Sequence, residues 1–541
     1  MIKSALYILY RILSFRSTSV IILALAVTIR AIQLIFFYNM RDDNSYLVLA
    51  TQNLINHNGY SITRVQPSDL SGVFFESLNN WPPGYSFLLV PLYILFDKNY
   101  IAAAITLDIV AAIILIFYCR KILYLFQLPT YIVNIFTLLT SFFIYYFYLI
   151  ASSDAIAISI FLISIFYTLK LLTEKYNWVK YSIIIGFTLF LVGLIKYLFV
   201  PVIFVLPAII FYSGIKNHYR NLETASILIS TWLIISLGAF LLYQKLAFNS
   251  IGYISQPGRG IYFEHLLDFY PFLPASLIKP DTVALLLTLD NKLINSIYNL
   301  FHLALFVLLL IFLFKVIWRK RGRPSLFEQY YIIVAFITLT ITALLAFLSI
   351  RVEKEEILPG WFWTYIEEPR YYGIIYVLLH LLLFLVLIRF KRANIYVKTF
   401  LITSFILLSV ESSRGAKFTW NRIQNFGIEE YSWQYELRFQ KYADSILKAE
   451  MKKTAISKAV VTSSHLYYAN RVSIYNELPI LKDATLINNS SNLQTSQPVI
   501  LLAIIREDHK ENFANFLEKH KEDFSGQFDA YSFFTILIHP N

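Results

Sequence analysis

The stretch VIILALAVTIRAIQLIFFYNMRDDN (20–44) joins a long run of apolar residues directly to two adjacent carboxylates. Because a membrane-spanning helix requires about 20 consecutive apolar residues, the first part of this stretch predicts a span. Asp42 and Asp43 then lie where the span leaves the membrane. A carboxylate between water and a medium of low dielectric constant suits a general base. The alternative is structural, with Asp43, Asn44 or Ser45 capping the helix that follows.

The composition of the whole chain is that of a membrane protein. Its 541 residues are 57% hydrophobic and only 15% charged, a balance that one soluble core cannot bury. The net charge of +12 comes from short basic clusters between apolar runs, which argues against a nucleic-acid partner and indicates topology signals. The single cysteine, Cys119, excludes an intrachain disulfide and a cysteine-based metal cluster.

Several apolar segments predict membrane-spanning helices. They cover residues 19–40, 100–119, 129–150, 155–172, 181–197, 198–214, 221–243, 296–318, 326–350, 369–390 and 395–411, eleven in all. Clusters of Lys and Arg, such as RKRGR (319–323), fall on alternate connections, which places the N-terminus in the cytoplasm. The apolar run 84–96 is too short to span, and a span there would reverse every later cluster. We therefore predict an interfacial or re-entrant helix, with residues 41–99 on the outer side.

Two domains follow from this topology. Residues 1–411 form a transmembrane domain with its first outer loop at 41–99, and residues 412–541 form a soluble domain on the periplasmic or extracellular side. Strands are predicted at 459–464, 498–506 and 530–538. A helix is predicted between the last two strands, with one apolar face made of Phe513, Phe516, Leu517 and Phe524. The fold class is thus a mainly α polytopic membrane protein with a small C-terminal α/β domain.

Three charged residues lie beside predicted spans on the same outer side as the acidic pair. They are Asp154, Lys196 and Arg370. An ionisable group in a membrane costs about 2.5–3.5 kcal/mol, so each needs a partner or a purpose. Snorkelling is the alternative for Lys196, and an ion pair with Glu367 or Glu368 is the alternative for Arg370.

Two further features favour structure over chemistry. Arg30 and Asp108 lie deeper in their spans, where a structural pair is the simplest account. The histidines have no ligand spacing, so no metal-binding residue is assigned. Carboxylates can hold Mg²⁺, Mn²⁺ or Ca²⁺. However, RDDN (41–44) has no second acidic cluster nearby. No cofactor is therefore assigned, and a divalent cation at the acidic pair is kept as the alternative.

The order of these motifs is similar to that of a known family. Asp42, Asp43, Tyr46 and Gly59 are followed by WPPGY (81–85), SSDA (152–155), KY (196–197) and EEPRYY (367–372). Over residues 19 to 400, this order resembles the GT-C class of membrane glycosyltransferases. Within that class it resembles the branch of protein O-mannosyltransferases and lipid A aminoarabinose transferases.

The resemblance implies a function and a set of site residues. It implies inverting transfer of a sugar from a polyprenyl-phosphate carrier to a lipid, glycan or protein acceptor at the outer face of a bacterial inner membrane. By the same resemblance Asp42 is the general base beside Asp43. The predicted donor-phosphate ligands are Lys196, Arg370 and Tyr371, and the predicted pocket residues are Tyr46, Trp81, Tyr85, Asp154 and Glu368.

The chain also departs from the family pattern. Related proteins often carry a basic residue near the proline-rich segment, where this chain has Trp81, so Arg64 is an alternative phosphate ligand. A transporter or flippase of lipid-linked glycans is the rival function, because it also requires many spans and intramembrane charge. Transporters often show matched halves, and the sequence shows none.

Overall fold

The computed structural model describes most of the chain. The residues it describes are 11–37, 42–143, 153–174, 176–249, 261–263, 307, 310–311, 314–315, 325–350, 373–387, 395–426 and 433–540. Its helices are α1 (Arg16–Phe37), α2 (Asp42–Ile55), α3 (Gly84–Leu95), α4 (Tyr100–Leu125), α5 (Thr130–Ser141), α6 (Ser153–Thr173), α7 (Trp178–Ile195), α8 (Val200–Ile203), α9 (Val205–Asn217), α10 (Arg220–Phe248), α11 (Leu326–Ser349), α12 (Gly373–Val386), α13 (Ile395–Gln424), α14 (Trp433–Thr454), α15 (Leu466–Asn476) and α16 (Ala514–Lys519). The strands are β1 (Ser61–Gln66), β2 (Asp69–Ser77), β3 (Ala459–Ser463), β4 (Val499–Arg506), β5 (Phe524–Phe528) and β6 (Tyr531–Ile538).

Eight helical segments in the described residues are long and apolar enough to cross a membrane. They are α1, α4, α6, α7, Tyr197–Asn217, α10, α11 and α13, and each matches a predicted span. Helices α5 and α12 cover parts of the predicted spans 129–150 and 369–390, whereas 296–318 lies largely outside the described residues. The polytopic, mainly helical fold class is therefore confirmed, and the total of eleven spans stays a prediction. The run 84–96 forms α3, whose 12 residues are too few to span.

The chain forms two compact units. One, the helical unit, comprises residues 1–35 and 108–421, and the other, the mixed unit, comprises residues 36–107 and 422–541. The predicted first outer loop therefore belongs to the same compact unit as the C-terminal residues. Helix α13 runs without a break through residue 411, and the domain boundary proposed there stays a prediction.

Two buried arginines in the helical unit are bonded to nearby polar groups. Arg120 donates to the side-chain oxygens of Asn134 (3.1 Å) and Thr137 (2.8 Å), because α4 continues beyond the predicted end at 119. Arg30 donates to the Gln33 side chain (2.8 Å) and to the Phe143 carbonyl (3.0 Å). Such bonds are required where water is absent. The predicted pairing of Arg30 with Asp108 stays a prediction.

The C-terminal part of the mixed unit is α/β, as predicted. Its sheet has the order β3-β4-β6-β5, in which β3 and β4 are parallel and the other pairs are antiparallel. The three predicted strands correspond to β3, β4 and β6, because runs of β-branched and aromatic residues suit a buried sheet. Their inward side chains form a core with Phe516 of α16.

The helix predicted between the last strands is partly wrong. Phe513 and Phe516 are buried at 3% and 0% exposure, but α16 covers only Ala514–Lys519. Phe524 begins strand β5 instead and is 49% exposed. Its ring contacts that of Phe534 on β6, with centroids 5.6 Å apart. Pairing along the sheet edge thus overrides the helical pattern of the sequence.

Strands β1 and β2 form an antiparallel hairpin that the sequence analysis missed. The hairpin bonds to C-terminal residues, since the Val65 N–H donates to the Ile480 carbonyl and the Ile480 N–H to the Thr63 carbonyl, both at 3.2 Å. At the turn, the Asp69 carboxylate accepts from the Ser71 hydroxyl (2.6 Å) and the Ser496 N–H (3.1 Å). Local sequence could not reveal the bonds to Ile480 and Ser496, because these partners are hundreds of residues away.

Acid is expected to loosen this attachment. The hydrogen bonds from the Ser71 hydroxyl and the Ser496 N–H lower the pKa of Asp69 from 3.8 to about 2. A lowered pKa means that the ionised carboxylate stabilises the folded state, fully above about pH 4 and progressively less as the pH falls to about 2. We expect faster amide hydrogen exchange in residues 61–77 at pH 3 than at pH 5, after correction for the intrinsic rates.

A matched variant tests the cause of that acid sensitivity. Asp69→Asn is expected to show a smaller acid response than the wild type, and the remainder comes from Glu76, which binds Lys482 at 3.2 Å. Asp483→Asn is the control, because among the described residues Asp483 accepts bonds only from nearby Thr485, at 2.6 Å and 2.9 Å, and this variant is expected to keep the acid response. If Asp69→Asn retained the acid response of the wild type, another group would control the hairpin.

Candidate functional site

Helix α2 begins at the acidic pair. Asp42 and Asp43 form its first turn, where unbonded N–H groups and the helix dipole favour negative charge. The structure describes the backbone of these two residues, and their side chains lie outside the described part. Asn44 and Ser45, considered above as caps, are inside the helix and are buried at 2% and 0% exposure. The helix leads into a reversal at Gly59, whose φ of +73° favours glycine.

An aromatic pair lies one turn along the same helix. Tyr46 comes four residues after Asp42, and its ring packs against that of Trp81 with centroids 5.0 Å apart and planes tilted by 36°. Residues four apart are neighbours on a helix surface, so this pair is close to the acidic turn. The structure therefore brings Tyr46 and Trp81 together, as a shared pocket requires.

Helix α3 packs against α2. Pro82 and Pro83 precede α3, and its first turn contains Tyr85, which is 1% exposed. The next residue, Ser86, donates from its hydroxyl to the Leu47 carbonyl of α2 (2.8 Å). This bond holds the proline-rich segment against the helix that carries the acids. Tyr85 is thus part of the buried packing in the mixed unit.

Asp154 and Lys196 form an ion pair in the helical unit. The Lys196 ammonium lies 3.0 Å from one carboxylate oxygen of Asp154 and donates to the other at 3.1 Å. Their side chains are only 1% (Asp154) and 14% (Lys196) exposed. Asp154 lies in the first turn of α6, and Lys196 follows the last residue of α7 in an extended conformation. Each charge therefore lies at the helix end whose dipole favours it.

The remaining predicted site residues divide into two groups. Glu368, Arg370 and Tyr371 lie outside the described residues. Arg64, the alternative phosphate ligand, is described and is bonded through its Nε to Glu76 at 3.0 Å. Burial raises the pKa of Glu76, but the charges of Arg64 and Lys482 lower it below its ordinary value. Arg64 therefore already has a carboxylate partner within the hairpin.

The helical unit also contains a groove that the sequence analysis missed. It has a volume of about 770 Å³, and apolar residues of α13 line most of it, among them Leu401 and Phe405, together with Leu387. Ser413, Arg414 and Lys417 line it as well. The only sequence signal was the cluster SSRGAK (412–417) at the end of a span. An apolar wall with cationic residues suits a lipid with an anionic head.

No metal site is visible among the described side chains, where no three His, Cys, Asp or Glu residues are placed to hold an ion. The side chains of Asp42 and Asp43 are not among them. The structure therefore leaves a cation at the acidic pair as a prediction.

Comparison with known proteins gives structural likeness alone, since no family model and no curated protein matches the chain. ArnT from Cupriavidus metallidurans in the apo state is similar at 13% identity and a TM-score of 0.49, over 95% of this chain and 97% of that one. ArnT bound to undecaprenyl phosphate gives 11% identity and a TM-score of 0.47 over the same shares. The apo oligosaccharyltransferase of Archaeoglobus fulgidus gives 12% and 0.47, over 92% of this chain and 71% of that one.

The structure resembles those of GT-C glycosyltransferases. ArnT, a lipid A aminoarabinose transferase, belongs to the branch that the sequence motifs resemble. These identities are below 25% and these TM-scores are below 0.5, so the likeness carries no argument about chemistry. The function is argued below from the residues of this chain.

Proposed function

We propose that this protein is an inverting glycosyltransferase of a bacterial inner membrane. It moves a sugar from a polyprenyl-phosphate carrier to an acceptor hydroxyl or phosphate at the periplasmic face. The observation that carries the proposal is the position of the Tyr46–Trp81 pair, one helical turn from Asp42. Aromatic rings with polar edges pack against the C–H faces of sugars, and an adjacent carboxylate is placed to accept the proton of an incoming hydroxyl.

The reaction needs one proton acceptor and a site for a leaving phosphate. Asp42 takes the proton of the acceptor hydroxyl, and the acceptor oxygen forms a bond to the anomeric carbon. The bond from that carbon to the phosphate oxygen breaks, and its electron pair leaves with the polyprenyl phosphate. Attack from the face opposite the leaving group inverts the anomeric configuration. Asp43, next to Asp42, adds a negative charge at the N-terminus of α2.

The leaving phosphate requires positive charge in a dry environment. We assign Lys196 to this phosphate; Asp154 holds its ammonium in place, and 14% of the Lys196 side chain is exposed. A charge-assisted bond from a fixed cation to a phosphate oxygen is stronger than one between neutral groups. We assign Arg370 and Tyr371 to the same phosphate and Glu368 to the pocket, as the family resemblance implies.

A lipid-linked donor is supported by the groove along α13. Its apolar lining suits a prenyl chain, and Arg414 and Lys417 suit an anionic head. Such a donor lies dissolved among the membrane lipids. The proposed acceptor is a lipid, a glycan or a protein.

The experiment is a transfer assay with the full-length protein in liposomes. Polyprenyl phosphates carrying a hexose or an amino sugar serve as donors, and extracted envelope lipids and glycans serve as acceptors. The proposal expects release of polyprenyl phosphate together with a new covalent sugar product. Mass spectrometry of cell envelopes with and without the protein then identifies the acceptor. Movement of a labelled lipid-linked glycan between leaflets, with no covalent product, would instead establish the transporter.

A further inference from the structure

We propose that helix α15 of the C-terminal segment holds the acid-bearing turn of α2 in place, and that Asn470 is the positioning residue. This inference rests on the proposed function, because it assigns to the C-terminal segment a role in that same reaction. Asn470 acts through Ser45 and does not itself contact the reacting atoms.

The contact is a buried hydrogen bond between distant parts of the mixed unit. The Asn470 side-chain amide donates to the Ser45 hydroxyl at 2.8 Å, although the two residues are 425 positions apart in the chain. Both side chains have 0% exposure. Water therefore cannot reach this contact, and loss of either partner removes the bond with no solvent replacement.

A second contact fixes the other end of α2. The Gln52 side-chain amide donates to the Ile474 carbonyl of α15 at 2.8 Å and lies 2.9 Å from the Tyr93 hydroxyl of α3. Ser45 and Gln52 are seven residues apart, about two helical turns. Two bonds at this separation hold α2 against both sliding and rotation on α15.

Helix α15 is itself held by a buried network. The Gln440 side-chain amide of α14 donates to the Arg471 carbonyl (3.2 Å) and to the Tyr100 hydroxyl (2.7 Å). The Tyr100 hydroxyl donates in turn to a Glu436 carboxylate oxygen at 2.9 Å. The Arg471 guanidinium packs 3.7 Å above the ring of Tyr467. These contacts make α15 a firm support for α2.

Ser45 connects the contact with α15 to the acidic residues of α2. Ser45 follows Asp42 by three residues and Asp43 by two, so it lies in the same turn as the acids or directly beside it. A displacement of a reacting group by about 1 Å can lower a rate by about 100-fold. A small movement at Ser45 is therefore expected to change turnover more than binding.

The test compares Asn470→Ala with Asn476→Ala in the full-length protein. Asn476 is in the same helix, but within the described part of the chain its amide donates only to the Val472 carbonyl of that helix, at 3.1 Å. We expect Asn470→Ala to lower kcat by about 10- to 100-fold with KM for the polyprenyl-phosphate sugar within about twofold of wild type. Amide exchange in residues 42–55 is expected to be faster than in Asn476→Ala, with the two unfolding temperatures alike.

A double-mutant cycle with Ser45→Ala tests the bond itself. The double variant Ser45→Ala/Asn470→Ala is expected to lose clearly less kcat than the product of the two single losses, because both single changes remove the same hydrogen bond. Additive losses would overturn the proposal, as would kcat and exchange in Asn470→Ala that match those of Asn476→Ala. A fall in kcat that only follows a loss of folded protein would also overturn it.

Failure of the proposed function would be seen separately. If the wild-type protein transfers no sugar with any donor, values of kcat cannot be compared. Amide hydrogen exchange in residues 42–55 then tests by itself whether Asn470 holds α2 in place. Faster exchange in Asn470→Ala than in Asn476→Ala would support it, and equal exchange would refute it.

Discussion

Asp42→Asn is expected to abolish sugar transfer while the protein still folds. The amide has nearly the shape of the carboxylate but cannot accept the proton of the acceptor hydroxyl. Loss of a general base typically lowers a rate by about 100- to 10,000-fold. The effect is expected in kcat, with KM for the donor little changed, because the base acts on the acceptor in the transition state. Initial rates with a polyprenyl-phosphate sugar in liposomes measure it.

Two other aspartates make this experiment specific. Asp97→Asn is the control, because Asp97 is an exposed residue of the same 41–99 segment. Its φ of +50° is a conformation that Asn adopts readily, so this variant is expected to retain full activity. Asp43→Asn asks which member of the pair is the base. Wild-type turnover of Asp42→Asn with an inactive Asp43→Asn would move the assignment to Asp43, and activity of both variants would remove it.

Lys196→Met is expected to cost both transfer and stability. It leaves the Asp154 carboxylate, 1% exposed, without the cation that lies 3.0 Å away. Removing one partner of a buried ion pair typically costs about 3–5 kcal/mol, because a charge remains buried without compensation. It also removes the cation assigned to the leaving phosphate. Thermal unfolding in detergent and the transfer rate report the two effects separately.

The double variant Asp154→Asn/Lys196→Met separates structure from chemistry. Neutralising both residues removes the buried charge that Lys196 balanced, so the unfolding temperature is expected to return most of the way to wild type. Transfer is expected to remain lost, because the phosphate cation is still missing. Full activity in the double variant would show that the pair is only structural.

A surface ion pair provides the control for this series. Lys448→Met removes a cation whose side chain is 73% exposed and lies 2.7 Å from Asp444. Exposed pairs contribute about 0–1 kcal/mol, so this variant is expected to unfold and turn over like the wild type. A large loss of stability or transfer in Lys448→Met would mean that removal of any lysine is harmful. The Lys196 result could then not be attributed to its ion pair or to the phosphate.

The residues of the candidate site could be predicted from the sequence, but only some of their contacts could. The acidic pair, Trp81 and Lys196 stand out in the sequence because polar or amphipathic residues beside apolar runs are costly and conspicuous. Their partners do not stand out in the same way. Asn470 is one of many polar residues in the C-terminal part of the mixed unit, and nothing in its neighbours indicates that it bonds to Ser45.

The sequence by itself determined the elements that depend on local pattern. The thickness of the hydrocarbon layer sets the length of a span, and eight described helices therefore match predicted apolar runs. Buried strands likewise repeat apolar residues, which located β3, β4 and β6.

Only the tertiary structure decided the attachment of the β1–β2 hairpin to Ile480, the pairing of Asp154 with Lys196 and the support of α2 by α15. Each of these joins residues between 42 and more than 400 positions apart, and periodicity carries no information over such distances. Whether such groups meet depends on how whole helices and sheets pack, because a buried polar group is stable only where that packing supplies its partner.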